Sequence, residues 1–338
     1  MPSDPDAPTP SAPVLSLEPF APDAAEAPAP DRVLMPAGYV VGGEGEVRIH
    51  FLDWGGPAAD GSGVPAAPGV LLLPGLMAPA WTWTPVARRL ARVRRTVVAD
   101  LRGHGLSDAP PDGYDLKTLA ADAEGVIDAA GLAGERGVVV AGHGFGACVA
   151  SALAVRLGSR CAGLVLVDGG FERQEAVTGL DLDELLRGLD EPPEVMRSMA
   201  AWLADRRGFD PATWDADQER AARDAVVETG AGRVVRAVRQ HVVAAVAATQ
   251  HGYEPGAWLA AVEAPVTALV ALGSGDPGVR LAELRLAAEA RWAAGRSAIR
   301  VAGFVGVAHN LPRHRPAEVA AAIACADTGA AGAAGMGE

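Results

Sequence analysis

Of the 338 residues, one is lysine (Lys117), three are cysteine and only 5% are aromatic. Basic residues are outnumbered 29 to 42 by acidic ones, which leaves a formal charge of −13. That balance opposes broad binding to nucleic acid or to an anionic membrane surface. Cys148, Cys161 and Cys325 are far apart and odd in number, so neither a disulfide framework nor a zinc site is expected, and a reducing cytoplasm fits. No apolar run reaches the ~18 residues of a membrane span. The start, Met1-Pro2-Ser3-Asp4-Pro5-Asp6, is acidic and proline-rich, unlike a secretory leader. A cytoplasmic location is therefore expected. The heavy use of Ala, Gly, Pro and Arg resembles that of bacterial GC-rich coding sequence and carries no functional information.

What is present is a globular composition, 49% hydrophobic and 21% charged, between two poor ends. Residues 1–30 are mostly Pro, Ala, Asp and Ser, and residues 328–338 are rich in Ala and Gly. Neither stretch can bury enough apolar surface to offset chain entropy, so both read as disordered tails. Between them, apolar β-rich runs alternate with helical patterns. Val47–Leu52 alternates like a half-buried strand. Continuous apolar runs follow at 70–73, 96–100, 138–141, 164–168 and 266–271, with a weaker one at 297–301. An arginine-rich helix spans about Val86 to Val93. Continuous apolar strands separated by helices imply an α/β fold with a mostly parallel central sheet covered on both faces. From 171 to 255 no strand is evident. That stretch reads as an all-helical insertion dividing the core into 31–170 and 256–327.

Several strand ends carry chemistry. Leu73-Pro74-Gly75-Leu76-Met77 turns sharply after a buried strand. Asp100-Leu101-Arg102-Gly103-His104-Gly105-Leu106-Ser107 follows another. Gly142-His143-Gly144-Phe145-Gly146 lies between a strand and a helix. Gly273-Ser274-Gly275-Asp276 follows a late strand, and Gly306-Val307-Ala308-His309-Asn310 precedes the last helices.

Together these motifs resemble the α/β-hydrolase fold family across roughly residues 40 to 325, with the insertion where that family carries its cap. The resemblance implies a nucleophile elbow at 142–146, an oxyanion hole from the N–H groups of Leu76 and Phe145, and a catalytic pair His309–Asp276. It places Met77, Trp81, His143 and Phe171 around a substrate pocket. Asp168, ending its strand, is either a structural carboxylate or a substitute for Asp276. At the elbow centre, where the family has serine, this chain has Gly144. Pro74 likewise replaces the family's usual histidine.

Glycine cannot attack an acyl carbon, so a covalent acyl-enzyme at residue 144 is excluded. The reading is a hydrolase of a small apolar ester, lactone or related substrate, using a His–Asp pair and backbone oxyanion donors without a covalent nucleophile. It requires no cofactor and no metal. One alternative is a non-catalytic binder of a small molecule, and a second is an ordinary serine hydrolase whose elbow serine has been replaced by Gly144. Another is a dinucleotide-dependent oxidoreductase, since Gly142-x-Gly144-x-x-Ala147 followed by Asp168 is close to a Rossmann fingerprint. His104, His241 and His314 read as loop or surface residues, and Trp202 and Trp214 as helix-packing residues. The sequence does not fix the oligomeric state.

Overall fold

The computed structural model describes residues 35–57, 67–189, 194–273 and 275–327. The two expected tails lie outside the described residues. Among those residues the main sheet has eight strands: β1 (Ala37–Gly42), β2 (Arg48–Asp53), β3 (Gly69–Leu73), β4 (Thr96–Ala99), β5 (Val138–His143), β6 (Cys161–Val167), β9 (Val266–Ala271) and β10 (Arg300–Phe304). Their spatial order is β1-β2-β4-β3-β5-β6-β9-β10. β2 runs antiparallel to both β1 and β4, and the pairings from β4 to β10 are parallel.

The continuous apolar runs reflect burial on both faces. Along β3, Leu71 and Leu73 enter one core while Val70 and Leu72 enter the other. Val138 and Val140 of β5 divide from Val139 and Ala141 in the same way, as the period of two in a strand requires. The first core is covered by α2 (Leu116–Ala129), α3 (Phe145–Leu157), α9 (Pro255–Ala261) and α10 (Pro277–Ala293). The second is covered by α1 (Thr84–Leu90) and α12 (Pro316–Ala324), the latter following the short α11 (Leu311–His314).

Register positions the site. Leu73 pairs with Gly142 and His143 with Val167, so the turns after β3, β5 and β6 emerge side by side at the same edge. Trp202, Val226 and Val234 form a separate small core within the insertion.

The insertion contains α4 (Gln174–Thr178), α5 (Leu182–Gly188), α6 (Met199–Phe209), α7 (Ala216–Asp224) and α8 (Gln240–His251). Several of these helices start where a side chain satisfies the first amides. Asp181 caps α5 in a reciprocal capping box with Glu184, Ser198 caps α6 and Asp215 caps α7. The segment is not all-helical. Val226–Glu228 (β7) and Val234–Arg236 (β8) form an antiparallel hairpin where continuous helix was expected. Its strands are three residues long, and the turn at Gly230 and Gly232 ends the helical pattern. The insertion is tied to the core by Arg88–Asp217 at 2.7 Å and by Thr249 Oγ1, which donates to the Tyr114 carbonyl at 3.0 Å.

Candidate active site

At the end of β5 the chain turns straight into α3. Gly144 takes φ 54° and ψ −120°, outside the regions open to ordinary residues. Its flanking glycines are required by close approach. A β-carbon on Gly142 would stand 2.1 Å from the Gly146 carbonyl oxygen, and one on Gly146 would stand 2.4 Å from those of Leu73 and Pro74. A strand-to-helix turn this tight is what the expected elbow at 142–146 requires, and its central residue has no side chain. Phe145 opens α3, so its N–H has no acceptor within the helix. Phe145 and Leu76 line the same cavity, of about 470 Å³.

His309, in the loop after β10, brings its imidazole over the elbow. A β-carbon on Gly144 would stand 3.2 Å from its Nε2 and 3.5 Å from its Cε1. The imidazole is 57% exposed and lines the cavity. Its Nδ1 lies 2.6 Å from Oδ2 of Asp168. The expected His309–Asp276 pair is therefore corrected: the acid facing His309 is Asp168. Asp276 is exposed and caps α10, accepting from the Gly278 amide at 2.8 Å. Both aspartates end apolar strands, but only Asp168 sits on β6, beside the elbow strand.

Asp168 itself adopts φ 50°, a strained conformation for a residue with a side chain. Its Oδ1 accepts from the Ala271 amide at 2.7 Å and from Arg280 Nη1 at 2.9 Å. Burial pushes the carboxyl up, but the His309 hydrogen bond and charge, Arg280 and the Ala271 amide outweigh it and hold the group below its usual value. Of the two ring nitrogens of His309, Nδ1 thus faces the Asp168 carboxyl and Nε2 faces Gly144.

Arg280 also binds Glu172 through two bonds, 2.8 and 2.9 Å. Glu172 lines the cavity, and burial raises its carboxyl despite that partner. Neither Glu172 nor Arg280 was visible as a site residue in the sequence. A carboxylate four residues beyond the strand-end Asp168 was the available signal.

His143 joins the cavity as expected. Its Nε2 donates to the His309 carbonyl at 2.9 Å, and the two rings lie 4.5 Å apart. Burial and the neighbouring His309 lower its pKa to about 4, so it is neutral near pH 7. Met77 instead lines an adjoining cavity that also contains Leu76. Trp81 and Phe171 are corrected as pocket residues. Trp81 lies under Arg220 and against Trp54, and Phe171 is fully buried in the larger core. Cys148 lines the cavity, but burial drives its thiol far up, so it stays protonated and cannot stand in for the missing serine. His104 behaves as a loop residue, buried with Nδ1 donating to the Arg102 carbonyl.

The chain belongs to the alpha/beta hydrolase family, whose model matches residues 70–322. It is 35% identical over 134 residues to an N-formylmaleamate deformylase of Pseudomonas putida, a match covering 38% of this chain and 46% of that protein. It is 34% identical over 105 residues to an uncharacterised protein of Mycobacterium tuberculosis, covering 31% of this chain and 30% of that one. The chain thus spans less than half the length of these relatives. Among solved structures it is similar to an E-2-(acetamidomethylene)succinate hydrolase, with a TM-score of 0.68 and 21% identity over 85% of this chain and 97% of that one. It is also similar to the thioesterase domain of the curacin biosynthetic pathway, with a TM-score of 0.63 and 22% identity over 85% and 98%. At these identities the structural likeness shows the fold.

The dinucleotide alternative fails on the same geometry. Both Asp168 oxygens are engaged by His309, Arg280 and the Ala271 amide, so this carboxylate is not available to grip a ribose hydroxyl. No described helix is long and apolar enough to cross a membrane.

Proposed function

We infer that the protein is a hydrolase in which water attacks a small acyl substrate directly, with no acyl-enzyme. The observation that carries this reading is the alignment of the His309 Nε2 on the side-chain position that Gly144 leaves vacant, 3.2 Å away. A water there would lie beside a base and near the Leu76 and Phe145 amides. Nε2 takes a proton from the water as its oxygen bonds to the acyl carbon. The carbonyl oxygen becomes negative and is held by those two amides, while Asp168 stabilises the imidazolium. The imidazolium then returns the proton to the departing nitrogen or oxygen. General-base assistance of this kind contributes about 10²–10⁴-fold.

The substrate class shifts from the apolar ester expected from sequence. Glu172, Gln174, Gln250, Arg280 and Asn310 line the cavity, and these groups suit a polar amide or ester. Two similar proteins carry names containing N-formyl and acetamido groups, which favours an acyl–nitrogen bond. The insertion acts as the lid of this cavity through Gln174, Val177, Thr178 and Gln250.

The test is hydrolysis of a panel of N-formyl and N-acetyl amides and matched esters in ¹⁸O-labelled water. The reading expects label in the acid product within a single turnover, no burst phase, and loss of turnover in His309→Ala and in Gly144→Ala, which fills the slot. Turnover indifferent to His309→Ala would overturn it.

A further inference from the structure

The arginine-rich helix takes no part in the site just described. Pro85, Arg88, Arg89 and Arg92 occupy neighbouring positions at spacings of three and four residues along α1 and the turn after it. They form one wall of a cleft of about 400 Å³. Facing them are Thr213, Asp215, Asp217 and Gln218 of the insertion, and Arg313 and Pro316 of the C-terminal helices. Three segments far apart in the chain thus gather four guanidinium groups against two carboxylates, in a protein whose net charge is −13.

Part of this charge has a structural use. Arg88 grips Asp217 through two bonds of 2.7 and 2.9 Å, and Arg313 donates to Thr213 and to the Asp210 carbonyl. Arg89 is placed differently. One of its nitrogens donates to the Pro85 carbonyl at 2.6 Å. Burial, and then the charges of Arg88 and Arg92, hold its guanidinium below its ordinary value. Burial depresses Arg313 as well, against the opposing charges of Asp215 and of Asp210, whose carboxylate lies 3.7 Å away. Arginine does not shed its proton in a protein, so at Arg89 burial and the two like charges, offset in part by Glu318 and Asp217, cost free energy that a bound anion would relieve.

The geometry points to an oxyanion subsite in which a carboxylate or phosphate group sits among Arg89, Arg92 and Arg313. Planar guanidinium groups suit either anion, because each can donate two parallel hydrogen bonds. The cleft also neighbours the site through shared walls. It shares Gln218 and Arg313 with a second cavity of about 240 Å³ lined by Trp202, Trp214, Arg206 and Arg236. That cavity shares Leu76, Ala78 and Asn310 with the His309 cavity. The anion is therefore either the far end of an extended substrate or a free ion. Binding in the cleft does not depend on the hydrolytic reading.

Titration calorimetry of the full chain with inorganic phosphate, at fixed ionic strength, tests the subsite without requiring turnover. Saturable binding is expected, weakened about tenfold or more in Arg89→Gln/Arg92→Gln. Arg88 is left intact because it holds Asp217. Arg300→Gln, outside the lining of the cleft, serves as a control that should bind like the parent. Should the double variant not fold, Arg92→Gln alone is used, with a smaller loss expected. No saturable binding by the parent protein, or equal binding by the arginine variants, overturns the proposal.

A second arm separates the sources, using mono-4-nitrophenyl esters of α,ω-dicarboxylic acids and their neutral ω-methyl esters with the Gly144→Ser protein. A lower KM for the carboxylates that disappears in the Arg89→Gln/Arg92→Gln background assigns the anion to the substrate. Equal KM values with phosphate binding retained assign a free ion.

Discussion

The Nε2 of His309 faces Gly144 at the distance of a side-chain contact: a β-carbon on residue 144 would lie 3.2 Å from it. Behind that nitrogen the imidazole is anchored to Asp168 at 2.6 Å. Imidazole and carboxylate are aligned on a position whose residue has no side chain.

The identity of the acid gives the first prediction. Asp168→Asn should lower His309-dependent turnover by about 10⁴-fold, the loss seen for the equivalent change in a serine protease, because the imidazole loses its tautomer and its charge partner. Asp276→Asn should leave turnover unchanged and stability nearly so, since Asn caps helices as well as Asp. Steady-state kinetics of both variants decide the matter. Equal losses, or a larger loss at Asp276, would return the role to the late aspartate.

Stability should depend on pH through His143. Its pKa is lowered to about 4 in the fold and is near 6.5 in an unfolded chain, so the unfolded state binds more protons between those values. The contribution of neutral His143 is fully present above about pH 6.5 and is lost as pH falls toward 4. Asp168, whose pKa is depressed, loses its contribution only at lower pH, below the ordinary carboxylate range. Unfolding midpoints between pH 4 and 7 should fall less steeply in His143→Gln than in the parent protein. Identical slopes would remove His143 from the account.

A third expectation concerns the join between the insertion and the second half of the core. Arg291, fully buried, donates to the carbonyls of Leu259, Val262, Ala264 and Ser297. Burial, with Arg296 nearby, lowers its pKa to about 10, which still leaves it charged at neutral pH. Arg291→Met keeps much of the volume but orphans several carbonyls, at about 1–3 kcal/mol for each one left buried. Denaturant unfolding should show a loss of about 3 kcal/mol or more. A loss below about 1 kcal/mol would mean that water replaces the guanidinium.

The parallel core was legible because β3, β5, β6 and β9 are buried on both faces and so read as unbroken apolar runs. β1 was not, because it lies on the sheet's edge and is largely exposed, with glycine at Gly38 and Gly42. The β7–β8 hairpin was lost because Val226–Glu228 continues the pattern of the helix before it. In the site, the elbow and His309 were marked by their local strings. The choice between Asp168 and Asp276 was not, since both follow apolar strands. What distinguishes them is strand order: β6 lies next to β5, and Ala271 and Arg280, distant in sequence, complete the Asp168 environment. Trp81 and Phe171 have the composition of pocket residues, and only packing shows that they face elsewhere.

The most direct measurement is covalent labelling of Gly144→Ser by a serine-directed fluorophosphonate, located by mass spectrometry. A side chain at φ 54° costs about 1–3 kcal/mol, and His309 must yield by a few tenths of an ångström, so a modest drop in the unfolding midpoint is expected. If the base, its acid and the Leu76 and Phe145 amides are in working geometry, residue 144 labels, small activated esters are cleaved, and His309→Ala in the same background abolishes both. A folded Gly144→Ser protein that neither labels nor cleaves would contradict the reading of this elbow as a catalytic site lacking only its nucleophile.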